Sequence, residues 1–84
     1  VTTSTTTLVT VRYWAGARAA AGVDEERFAA TTVGEALAAA RSAHPQLESV
    51  LEVASVLVDG VVSPAERVLF AGEAVEVLPP FAGG

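Results

Sequence analysis

The sequence predicts a two-layer α+β domain in which runs of strands pack on one main helix. Three features predict it. The segments Leu8–Trp14 and Ala74–Leu78 alternate apolar and polar residues with the period of a half-buried strand. Residues 33–43 carry an apolar stripe at helical spacing behind a helix-start signal. Asp59-Gly60 joins two valine-rich runs, a strong signal for a tight hairpin.

The elements follow in order. In Leu8–Trp14, Val9, Val11 and Tyr13 face the core, while Trp14 falls on the other face beside Arg12. Ala15–Gly22 is alanine-rich and suits a turn of helix ended by Gly22. Asp24–Ala29 reads as a weaker strand anchored by Val23 and Phe28. Thr32-Val33-Gly34-Glu35 fits a capping box, with Thr32 accepting from the Glu35 amide and Glu35 reaching back to the Thr32 amide. Behind it, Val33, Ala36, Leu37 and Ala40 form one stripe. Arg41 and His44 suit the negative end of the helix, and Pro45 stops it. His44 reads as a solvated helix end.

Leu47–Leu51 suits a short second turn of helix. Ser55–Val58 and Val61–Val62 make the hairpin, with both turn residues at positive φ. Pro64 and Glu66 sit in a loop, and Arg67–Phe70 adds a brief strand. Ala71-Gly72-Glu73 turns the chain into Ala74–Leu78, with Val75 and Val77 inward and Glu76 and Leu78 outward. Pro79-Pro80 ends that strand, because proline cannot donate to a ladder. The chain thus divides into a threonine-rich tail at 1–7, a domain at 8–80 and a short tail at 81–84.

Bulk properties narrow the function. With 84 residues there is room for one modest core, which argues against a deep active site. There are five arginines, no lysine and a net charge of −5, which disfavours nucleic-acid binding. Without lysine, the chain offers no side-chain amine on which to build chains of itself. No cysteine is present, so a thiolate metal site or cysteine nucleophile is excluded. No basic, apolar leader and no span of ~20 apolar residues occurs, so neither secretion nor membrane insertion is expected.

Catalytic motifs are nearly lacking. There is no glycine-rich phosphate loop and no His/Cys ligand pair. Glu25-Glu26 and Glu73/Glu76 read as solvated surface, and Asp59 serves its turn. Chemistry therefore falls to the end of the sequence. Gly83 and Gly84 lack Cβ atoms, so another protein can close around their backbone. Extended at about 3.3 Å per residue, the segment after Pro80 reaches roughly 13 Å. An α-carboxylate there is ionised at neutral pH and a poor electrophile until activated. Adenylation is the economical route, and it requires a partner enzyme.

The ending Leu78-Pro79-Pro80-Phe81-Ala82-Gly83-Gly84 resembles the MoaD-type small subunit of molybdopterin synthase, of the MoaD/ThiS sulfur-carrier family. Leu69-Phe70-Ala71-Gly72-Glu73-Ala74-Val75 resembles that family's turn before the last strand. Tyr13-Trp14-Ala15-Gly16-Ala17-Arg18, with Gly22 following, resembles its early aromatic segment. The resemblance covers residues 8–84. It departs at Ala74, where an acidic residue is frequent, and in the alanine content of 15–22.

The resemblance implies a ubiquitin-like β-grasp fold, with a mixed sheet of four or five strands on the main helix. It implies that a MoeB-like, ATP-dependent adenylyltransferase activates Gly84 and that a cysteine desulfurase or rhodanese supplies sulfur, giving a thiocarboxylate. It implies a MoaE-like large subunit that receives the tail and in which sulfur passes to cyclic pyranopterin monophosphate. No cofactor is expected on this chain itself, and the setting implied is cytoplasmic. Because the first and last strands of a β-grasp lie side by side, Trp14 and Leu78 are expected to form an apolar patch beside the exit of the tail. Pro79, Pro80, Phe81 and Ala82 complete the expected partner surface. Other readings are a carrier for thiazole or cysteine synthesis, a covalent modifier joined through Gly84, and a non-covalent β-grasp adaptor.

Overall fold

The computed structural model describes residues 7–80; the N-terminal segment 1–6 and the expected functional residues Phe81, Ala82, Gly83 and Gly84 lie outside the described residues. The chain forms strand β1 (Leu8–Tyr13), helix α1 (Gly16–Ala21), β2 (Glu25–Ala29), α2 (Val33–Ala43), α3 (Leu47–Val53), β3 (Ser55–Val58), β4 (Val61–Val62) and β5 (Ala74–Leu78). The five strands lie in the order β2-β1-β5-β3-β4. β1 and β5 run parallel at the centre, and the other pairs are antiparallel. This mixed sheet packed under helices is the ubiquitin-like β-grasp architecture.

Register explains which residues are buried. Val11 lies opposite Val75 and Tyr13 opposite Val77, while Val56 and Val58 face Val77 and Val75 from the other side. Directly opposed residues share a face, so one row of valines lines the helix side of the sheet. Val9, Val11, Tyr13, Val58, Val75 and Val77 are all at most 3% exposed. From above, α2 contributes Val33, Ala36 and Ala40, with Leu37 packed at the margin. The alanines of α1 have a structural use. Ala17 and Ala21 are buried one helical turn apart, and α1 packs on both α3 and β1. Small side chains permit that close approach.

The start of α2 differs in one detail from the expected capping box. Thr32 Oγ1 accepts from the Glu35 amide at 3.1 Å, as expected. The Glu35 carboxylate, however, accepts chiefly from the amide and hydroxyl of Thr31, at 2.7 and 2.8 Å. The Thr31 amide, foremost, holds the Glu35 carboxyl below the usual carboxylate range. The support this gives is present at neutral pH and is lost as acidification titrates the carboxyl.

Other expectations are corrected at element ends. β1 stops at Tyr13 because the chain turns at once through Ala15. Val23 does not anchor β2; it is exposed, and the strand begins only at Glu25. The third helix runs on to Val53. Arg67–Phe70 forms no strand. It meets the start of α2, with an isolated Thr32–Val68 bridge and the Val33 amide donating to the Arg67 carbonyl at 3.0 Å. Leu69 is still buried. The Asp59-Gly60 turn has φ of 53° and 75°, the two positive values the hairpin needs.

Ala15 has φ 50° and ψ −123°, and the Ala17 amide donates to the Trp14 carbonyl at 2.9 Å. This is the geometry of a type II′ turn, whose first central position favours glycine. Alanine stands there and glycine follows at Gly16. Replacing Ala15 with Gly is expected to raise stability by about 1 kcal/mol by removing steric strain, measured as a higher thermal midpoint.

Candidate functional site

The centre of the sheet delivers the end of the domain to one place. β5 has neighbours on both sides, and its last residues run past the end of β1. The Trp14 amide donates to the Val77 carbonyl at 3.2 Å, which sets Trp14 beside Leu78. Trp14 is 46% exposed; Leu78 and Pro79 are half-buried and Pro80 is exposed. The structure therefore brings Trp14, Leu78, Pro79 and Pro80 together where the chain leaves the sheet.

The same face carries two apolar residues that the sequence reading did not single out. Leu57 lies opposite both Glu76 and Val62, while Ser55 lies opposite Leu78. Leu57 is half-buried and Val62 is 70% exposed. They carry the apolar surface from Leu78 to the β4 edge. The signal was available: a two-residue hairpin fixes the register, and alternation with inward Val58 turns Leu57 outward.

Charged residues border Trp14. The Arg12 guanidinium carbon lies 5.9 Å from the centre of the Trp14 ring, within cation–π range. Arg12 Nε meets Glu25 at 3.2 Å, and Arg18 meets Asp24 at 3.4 Å. Gly22, the left-handed residue that ends α1, turns the chain toward Asp24 and β2.

On the helix side, His44 and Glu26 are not the solvated pair of residues expected. Glu26 Oε2 accepts from the Tyr13 hydroxyl at 2.6 Å and lies 2.6 Å from His44 Nε2. The Tyr13 and His44 rings meet edge to face at 6.2 Å. The expectation failed because β2 places Glu26 opposite Val11, on the helix-facing side, beneath the end of α2. This trio braces β1, β2 and α2 together. Burial, and then the hydrogen bond to Glu26, push the Tyr13 hydroxyl well above the usual tyrosine range.

Because Tyr13 titrates higher folded than unfolded, it contributes stability that is complete below about pH 10 and lost on further alkalinisation. The sequence has one tyrosine, no lysine and no cysteine, which isolates the effect. Urea unfolding above pH 10 is expected to show stability falling by up to about 1.4 kcal/mol per pH unit, a slope absent in Tyr13→Phe.

A second carboxylate also differs from the expected solvated surface. Glu73 accepts from the Phe70 amide at 2.9 Å and meets Arg67 at 3.3 Å. The amide first, then Arg67, hold its carboxyl below the usual range. These contacts close the turn that feeds β5. Among the described residues, no cluster of histidine and carboxylate side chains suits a metal ion, and no helix is long and apolar enough to cross a membrane.

The sequence matches the ThiS family over residues 11–84. No curated protein matches it. Among solved structures, it is similar to the small archaeal modifier protein SAMP1 of Haloferax volcanii, at 28% identity and a TM-score of 0.84, covering 92% of this chain and 99% of that one. It is similar to a putative molybdopterin converting factor subunit 1 of Pyrococcus furiosus, at 25% identity and a TM-score of 0.80, covering 88% and 98%. It shares its fold with a chain in the complex of molybdopterin-converting factor subunits 1 and 2 from Helicobacter pylori, at 22% identity and a TM-score of 0.70, covering 92% and 99%.

Proposed function

Because this chain belongs to the ThiS family, we propose that it is a sulfur carrier whose Gly84 carboxyl is activated and converted to a thiocarboxylate for molybdopterin synthesis. The observation that carries the reading is that the chain leaves the central strand β5 through Pro79-Pro80 beside an exposed Trp14. A rigid stem and an apolar surface at its base suit a tail handed between partners. In the proposed sequence, a MoeB-like adenylyltransferase uses ATP to form the acyl-adenylate, releasing pyrophosphate. A persulfide-bearing donor, such as a cysteine desulfurase or rhodanese, displaces AMP to give an acyl disulfide, and a second thiol attacks the donor's sulfur, forming a disulfide with it and releasing the thiocarboxylate. A MoaE-like large subunit docks on Trp14, Leu78, Pro79, Pro80, Phe81 and Ala82, and takes the sulfur to cyclic pyranopterin monophosphate. The protein acts in the cytoplasm, and ATP is held by its activating enzyme.

The experiment is the intact mass of the protein after incubation with ATP, its activating enzyme and a sulfur donor. Exchange of one oxygen for sulfur, lost when Gly84 is deleted, is the expected result. An unchanged mass with demonstrably active partners would refute the reading.

A second reading is favoured by the likeness to the small archaeal modifier protein, the higher in identity of those described above. In it, the activated Gly84 carboxyl is joined to amines of other proteins. Cellular conjugates that resist thiol reagents and vanish on deletion of Gly84 would establish it; none would be seen for a dedicated sulfur carrier.

A further inference from the structure

Beside Trp14 lies a cleft of about 160 Å³, lined by Arg12, Tyr13, Trp14, Arg18, Asp24 and Glu25. It gathers two of the five basic residues of a chain whose net charge is −5. Each guanidinium presents five N–H donors in a planar fork. Arg12 meets Glu25 through Nε, and Arg18 meets Asp24 through one terminal nitrogen. Among the described residues, the terminal nitrogens of Arg12 have no further side-chain partner. All four side chains are close to half exposed or more, so the two ion pairs are weak and exchangeable.

We propose that this cleft receives a carboxylate side chain of the partner protein that docks on Trp14. The proposal rests on the reading of Trp14 as a partner surface and names the polar contact that fixes its register. A carboxylate matches the guanidinium fork, two parallel N–H···O bonds at a time. Asp24 and Glu25 disfavour a free, multiply charged anion. A single carboxylate borne on a partner already held by Trp14 meets less repulsion. Arg12 touches both parts of the site, since its guanidinium faces the Trp14 ring while its fork borders the cleft. The polar contact thus serves selection and association rate, and Trp14 supplies the apolar anchor.

The test is calorimetric titration of this protein with the large subunit of molybdopterin synthase from the same organism, at low and high salt. Arg12→Glu and Arg18→Glu are each expected to weaken binding on the order of ten- to a hundred-fold at low salt and to flatten its salt dependence. The thermal midpoint of Arg18→Glu should stay close to that of the parent chain, because Arg18 is exposed. Arg12→Glu sets a carboxylate opposite Glu25 and Glu76 and should lower it, so Arg12→Gln, which adds no like charge, is titrated beside it and is expected to weaken binding in the same direction. Reversing one acidic residue of the large subunit to Arg should restore binding to Arg18→Glu. Parental affinity in the arginine variants, with Trp14→Asp still weakening the complex, would overturn the cleft and leave the Trp14 surface standing. Tight binding of inorganic phosphate, lost in Arg12→Glu, would instead make the cleft a free-anion site and also overturn the proposal. Failure of the parent chain to bind the large subunit would overturn both readings.

Discussion

Deleting Gly84 is expected to abolish sulfur delivery while leaving folding unchanged and large-subunit binding largely intact. The deletion lies beyond β5 in the sequence and removes none of the core residues, so the thermal midpoint should not move. The tail becomes shorter by about 3.3 Å. Misplacing a reacting group by about 1 Å can already cost ~100-fold in rate. A carboxyl drawn back by a whole residue should therefore escape both activation and transfer. Mass spectrometry of the thiocarboxylate and a binding titration separate the two effects. Delivery that persisted in the deleted chain would refute a C-terminal mechanism outright.

Replacing Leu47 with Ala is expected to cost about 2–5 kcal/mol of stability. Leu47 is fully buried and opens α3, in a core otherwise built mainly of valine and alanine. Small neighbours leave little side chain to relax into the cavity, so the cost should fall in the upper half of that range. A domain of this size has roughly 4–13 kcal/mol in total. Each kcal/mol lowers the thermal midpoint by about 4–8 °C at this length. A fall of about 14 °C or more, read by circular dichroism, is therefore the expected result. A fall of only a few degrees would mean that α3 closes over the gap.

The contrast between those two positions bears on what could be read from sequence. Val9, Val11, Tyr13, Val75 and Val77 were legible as core because strand alternation repeats a simple rule. Helix α2 was legible to its end residues, because Thr32 caps it and Pro45 ends it. The Asp59-Gly60 turn was equally plain. Three features were not legible. The pairing of His44 with Glu26 joins residues 18 apart and depends on how α2 lies across β2. The missing strand at 67–70 reflects competition, since those backbone groups bond the start of α2 and not the sheet. The strained turn at Ala15 places alanine where local preference asks for glycine, so no propensity argument would find it. At the candidate site, alternation put Trp14 and Leu78 on outer faces, and the resemblance to a β-grasp set them side by side. Leu57 and Val62 needed the cross-strand register, and the Arg12–Arg18 cleft needed the path of the chain after Gly22.

The central, parallel placement of β1 and β5 also has a mechanical meaning. A pull on the chain beyond Pro80, resisted at the start of β1, draws two adjacent strands along their own axes in opposite directions. The hydrogen bonds between them then share the load in shear, and none can be peeled away before the next. β3 grips β5 from its other side and adds to the resistance. An edge strand such as β4, with two residues and one neighbour, would unzip under a far smaller force. The strand from which the chain leaves the domain is thus embedded in the part of the sheet that best resists a pull along it.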